Sequence, residues 1–242
     1  MRLARSTAIA GCATIIWLLL APNRALGQVR GEYLEPEDGA FSPYPLNSYY
    51  TAVSEALLGR DRDRICQMVF LPSFELEAAV FIVPTREQKE VPLVVAVEAE
   101  RQIWYQMLKH LHGFESEENQ QRALALFPRR VRRVMRGIDR PTSVLLSSAW
   151  EAMLARVTYQ GAPTLGFDGA TYHAAHRSGA QPFAAGKVWS PPAGTAAHEF
   201  VALAQTLRAY AGANDNTAEA LKQTLITQAQ ALLARLRVSA SK

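Results

Sequence analysis

Cysteine is nearly absent, with two in 242 residues. Cys12 lies in the N-terminal leader described below, so the rest of the chain has only Cys66. No disulfide can form within that remainder, and a chain of this size does not need one to fold. In "ICQMVFL", Cys66 alternates with Met68 and Phe70 on one face of a strand pattern. That pattern predicts burial as a small hydrophobe, in preference to a thiol pairing with another chain.

Catalytic signatures are missing too. There is no GxSxG elbow, GxGxxG, P-loop or HExxH. A triad is recognised by geometry, so their absence weakens the expectation of an enzyme without removing it. The histidines are sparse. His110 and His112 share a face on a strand, while His173 and His176 do so only on a helix. Zinc sites take three or four ligands at recognisable spacing, and none is evident. Low-complexity linkers and internal repeats are also lacking, which predicts one domain.

What is present begins with "MRLARSTAIAGCATIIWLLLAPNRALGQ". Arg2 and Arg5 precede an apolar run from Ala8 to Ala21, Pro22 breaks it, and Ala25 and Gly27 occupy the −3 and −1 positions of a cleavage site. This is the layout of a secretory signal peptide, residues 1–27. "IAGC" resembles a lipoprotein cleavage box, but the apolar core lies mostly after Cys12 instead of before it. No later run is long and apolar enough to span a bilayer, so the mature chain is expected to be soluble and exported, periplasmic or secreted. The leader carries Arg2, Arg5 and Arg24 and no acid. The 26 basic and 22 acidic residues of the whole chain therefore become 23 and 22 after cleavage. Such a balance gives no support for a nucleic-acid partner.

Residues 28–242 read as one mixed α+β domain. Residues 28–46 form a Pro- and Gly-rich extended arm. Asn47 or Ser48 caps a helix ending at Gly59. Strand patterns follow at 65–71, 74–83 and from 91 onward, although 98–108 also fits a helix. "PRRVRRVMRG" reads as a helix with Arg129, Arg132, Arg133 and Arg136 on one side and Val131, Val134 and Met135 opposite. A helix starts at Pro141, with Leu146, Trp150, Met153, Leu154 and Val157 inward. Asp168-Gly169 predicts a hairpin placing Leu165 across from Tyr172. "GKVWSPP" reads as an edge strand. Thr195 caps a helix ending at Gly212, and Asn216 with Glu219 resembles a capping box opening the last helix. The class expected is α+β: an antiparallel sheet of five or six short strands with helices packed on it, two of them C-terminal.

Pairing the apolar faces of 74–83 and 91–99, with Pro84 opposite Val91, sets Glu77 opposite Glu98 and Glu75 opposite Glu100. All four acids then share one face, where like charges repel. A hard cation such as Ca²⁺, a basic partner protein, the arginine stripe or plain solvation would each offset this. No other cofactor is expected.

The leading functional expectation is a non-catalytic binding or accessory protein of the cell envelope, its partner another envelope protein. Its contact residues are Glu75, Glu77, Glu98 and Glu100, then Arg129, Arg132, Arg133 and Arg136, with Trp189 as an aromatic element beside Tyr49, Tyr50, Trp104 and Tyr105. Two alternatives stand beside it. One is a hydrolase of an envelope polymer using a Glu pair. The other is a peripheral protein docking its arginine helix on anionic lipid.

Overall fold

The computed structural model describes residues 31–42, 48–59, 63–85, 90–106, 130–159, 168–177 and 183–240. The leader, Arg129, His110, His112 and Leu165 lie outside the described residues.

Seven strands among them form one antiparallel sheet. In chain order these are β1 (Glu35–Pro36), β2 (Ile65–Pro72), β3 (Ala78–Val83), β4 (Leu93–Ala99), β5 (Val131–Gly137), β6 (Ala170–His176) and β7 (Ala184–Trp189). Their order across the sheet is β1-β7-β6-β2-β3-β4-β5. Helix α1 (Ser48–Val53) widens into a π-helical turn through Leu58 and stops at Gly59, whose φ of 63° suits glycine. Helices α2 (Arg140–Leu154), α3 (Ala196–Gly212) and α4 (Asp215–Ala240) follow among the described residues. The expected α+β class, antiparallel sheet and two C-terminal helices are all seen, with one strand more than expected.

Both faces of the sheet are covered. Cys66, Met68, Phe70, Ala78, Val80 and Ile82 pack with α2, α3 and α4 in the larger core. Val69, Ala79, Phe81, Val95 and Val97 pack with Ala52, Val53, Leu57 and Leu58 of α1 in the smaller one. This double burial explains why β2, β3 and β4 read as continuous apolar runs.

It also explains the error in register. The structure pairs Ala78 with Glu98 and Val83 with Leu93, one residue away from the expected alignment. Where apolar residues fill both parities, matching one apolar face to another cannot set the register. A slip of one turns every side chain over. Ala78, Val80 and Ile82 therefore face the three helices, while Val95, Val97 and Ala99 face α1.

The arginine segment is a strand, not a helix. Val131, Val134 and Met135 fit a helical stripe, but β5 pairs with β4 along its full length. Val134 joins the larger core and Val131 the smaller one. Arg132 and Arg136 thus lie on the α3 side and Arg133 on the other. The Asp168-Gly169 hairpin is corrected as well. Tyr172 pairs with Phe70 on one side and Val188 on the other, so both flanks of β6 are taken by β2 and β7. β7 carries β1 on its outer side, Glu35 opposite Lys187.

Two helix starts follow their sequence signals. Asp139 accepts the Thr142 N–H at 2.9 Å ahead of α2, with Pro141 in the first turn. Thr195 accepts the His198 N–H ahead of α3. The last helix begins earlier than expected: Asn214, not Asn216, accepts the Thr217 N–H, and Glu219 pairs with Lys222.

Candidate functional site

The four glutamates do not share a face. Glu77 sits just before β3 and turns toward α1, 1% exposed. Its carboxylate accepts the N–H groups of Ile103 and Trp104, at 2.8 and 2.9 Å, and the Tyr49 hydroxyl at 3.1 Å. It fastens the chain leaving β4, where residues 103–106 turn helical. Glu98 is on the opposite, helix-covered face. Glu75 and Glu100 are exposed. Among the described residues no group of three or more His, Cys, Asp or Glu side chains is placed to hold a metal ion.

Glu98 stands in a groove of about 370 Å³ between α3 and the β4–β5 side of the sheet. Its apolar lining is mostly small, with Ala96, Ala209 and Gly212 beside Val134, so helix and sheet do not fill the space between them. Its polar lining is Glu98, Arg132, Gln205 and Arg208. Arg132 lies directly across from Glu98 in the β4–β5 register. Its Nη2 donates to Glu98 Oε2 at 2.9 Å, and Arg208 from α3 donates to Oε1. The Arg208 guanidinium also lies 5.7 Å from the centre of the Phe70 ring, which fixes its stem. One carboxylate thus holds two guanidinium groups side by side.

The other expected contacts are scattered. Arg133 lies on the α1 side near the Phe81 ring. Arg136 reaches Asp215 at 2.9 Å and the Ala213 carbonyl, tying β5 to the turn between α3 and α4. Trp189 is half-buried at the far end of the sheet from the groove, against Gly169. An arginine helix for lipid docking has no counterpart, since the segment is a strand with arginines on both sides.

Two histidine arrangements lie outside the sequence expectation, though the strand reading correctly separates them onto opposite faces. On the α1 side, fully buried His173 meets Glu37, Nδ1 to Oε2 at 2.9 Å. Glu37 Oε1 also accepts the Gly39 and Phe41 N–H groups. His173 Nε2 is buried with no hydrogen-bond partner among the described residues. Beside it Lys187 pairs with Asp38 at 2.6 Å. His173, Tyr50, Tyr49 and Trp104 form a row of edge contacts, centroids 5.3, 5.7 and 5.3 Å apart, ending at half-exposed Trp104.

On the helix side, His176 Nε2 lies 3.1 Å from Ser147 Oγ. A serine–histidine dyad needs the imidazole to take the hydroxyl proton. Here Nδ1 accepts the Cys66 backbone N–H at 3.3 Å, so the neutral ring carries its proton on Nε2 and donates it to Ser147. Burial pushes the His176 pKa down, which favours that neutral ring. The pair is wired as a structural hydrogen bond.

Arg208, Gln205, Glu37 and His173 are the site residues that sequence reasoning did not single out. The contacts that place them in these sites are tertiary: Arg208 meets Glu98, Gln205 faces the same groove, and Glu37 meets His173. Comparison of the chain with protein-family models, with curated proteins and with solved structures finds no match in any of the three.

Proposed function

We propose that the chain is an exported, non-catalytic binding protein of the cell envelope, and that the groove between α3 and β4–β5 holds its ligand. The leader pattern of residues 1–27 supports export. The observation that carries the binding reading is the Arg132–Glu98–Arg208 arrangement on the wall of the groove. The groove volume falls within the range of about 300–1,000 Å³ typical of small-ligand sites. The triplet supplies a few fixed polar groups beside small apolar residues, which is how such sites set orientation.

Catalysis is the weaker reading on two counts. Among the described residues Glu98 is the one acid lining the groove, whereas a glycosidase uses two carboxyl groups flanking the bond. The Ser147–His176 contact runs opposite to the direction a nucleophile requires.

The test is native mass spectrometry of the chain from Gln28 onward, purified without chelator from the compartment that holds it. A bound small species, lost in an Ala209→Trp variant that fills the groove, is the expected result. An unliganded mass in every preparation, with no species lost on filling the groove, refutes the site.

A further inference from the structure

We infer that the groove recognises an oxyanion, a carboxylate or phosphate group of a small ligand, through Arg132 and Arg208, with Glu98 as the residue that positions them. This rests on the binding reading above and adds the chemical class of the ligand.

Two guanidinium groups and one carboxylate leave the polar wall with one net positive charge. Each guanidinium carries five N–H donors and gives one of them to Glu98, so most of its donors have no partner among the described residues. The two groups come from different elements, β5 and α3, and converge on opposite oxygens of one carboxylate. They are therefore close enough to share a second oxyanion in the same manner. Guanidinium forks match planar carboxylates and phosphates and bind them through paired hydrogen bonds. Phe70 beside Arg208 limits the motion of that side chain, which lowers the cost of ordering it around a ligand. Gln205, on the same wall, adds both a donor and an acceptor for the uncharged part of the ligand.

Glu98 plays two opposed parts. It holds the arginines together, and its own charge repels the ligand. The second effect dominates for a ligand that binds both arginines at once, because the ligand then supplies the bridge itself.

The experiment is isothermal titration calorimetry at low salt on the chain from Gln28. The probes are inorganic phosphate, N-acetylglycine and the methyl ester of N-acetylglycine. Saturable binding of phosphate or of N-acetylglycine is expected, with none of the neutral ester, and whichever anion binds identifies the group. Arg132→Gln and Arg208→Gln should each weaken it tenfold or more. Glu98→Gln should strengthen it by about fivefold, the effect of removing one unit charge at contact distance in a solvated groove. Arg132 is 73% exposed, so its replacement leaves the fold intact and keeps the test decisive even if Arg208→Gln unfolds. Failure of both anions to bind, or unchanged affinity in Arg132→Gln, overturns the inference. A neutral species that mass spectrometry finds displaced by Ala209→Trp would sink the oxyanion while sparing the groove as a site.

Discussion

His173 and Glu37 meet 2.9 Å apart beneath α1, the imidazole fully buried and the carboxylate nearly so. Glu37 belongs to the arm before α1, and His173 to the middle of the sheet, so the contact pins that arm across the α1 face. Breaking such a pair leaves one polar partner buried without compensation. His173→Phe and Glu37→Ala should each lower unfolding free energy by about 1–3 kcal/mol. Urea denaturation of both single variants and the double variant checks this. The double variant should lose clearly less than the sum of the singles; simple additivity would mean the two residues act separately.

A pH dependence follows from His176. Burial holds its folded pKa below the ordinary value of 6.5, so the unfolded chain takes up the proton first as pH falls. The contribution is fully present above about pH 6.5 and is lost as pH drops toward the folded pKa, at no more than about 1.4 kcal/mol per pH unit. Stability of the wild type should therefore fall between pH 7 and pH 5 more steeply than that of His176→Gln, whose amide can still accept the Cys66 N–H. Equal slopes in the two proteins would remove His176 as the cause.

Helices α2 and α3 were legible because Pro141 and Thr195 are local signals, one fixing the first turn and the other accepting an N–H three residues on; the Asp139 cap of α2 was not read. Strands β2 to β4 were legible as apolar runs, but their register was not, since Val80 and Phe81 are both buried on opposite faces. β5 was misread because the spacing of Val131, Val134 and Met135 fits a helical stripe, and its strand form comes from pairing with β4. Half of the groove was in view: Glu98 and Arg132 were singled out as candidate contacts. Arg208 was not, because it lies 110 residues from Glu98 and nothing in its helix distinguishes it from an ordinary solvent-facing arginine.

Cys66 is fully buried beside the larger core, and burial pushes its thiol pKa well up. The thiolate is the reactive form, so the folded protein should resist thiol reagents at pH 8 and become reactive only with denaturant. Cys66→Ala should keep the fold at a cost of about 1 kcal/mol, and Cys66→Ser should cost more, because the hydroxyl enters an apolar site. Rapid labelling of the native protein would contradict the burial.

The four glutamates supply the sharpest separation of site from scaffold. Glu75 and Glu100 are exposed, so alanine at either should change stability by less than about 0.5 kcal/mol. Glu77→Ala removes the acceptor for two backbone N–H groups and a tyrosine hydroxyl in a buried setting. Each stranded donor there costs about 1–3 kcal/mol, so this variant should be destabilised by several kcal/mol. Tyr49 should respond in the same experiment, since burial, with Glu77 beside it, holds its pKa far above the ordinary phenol value. Glu98→Ala should be intermediate in stability, as it frees two partly solvated arginines, and alone among the four should alter ligand binding in the groove. Thermal denaturation of the four single variants ranks them. An equal, small effect at all four would mean that they are, after all, one solvated surface, and that neither the Glu77 anchor nor the Glu98 bridge forms as described.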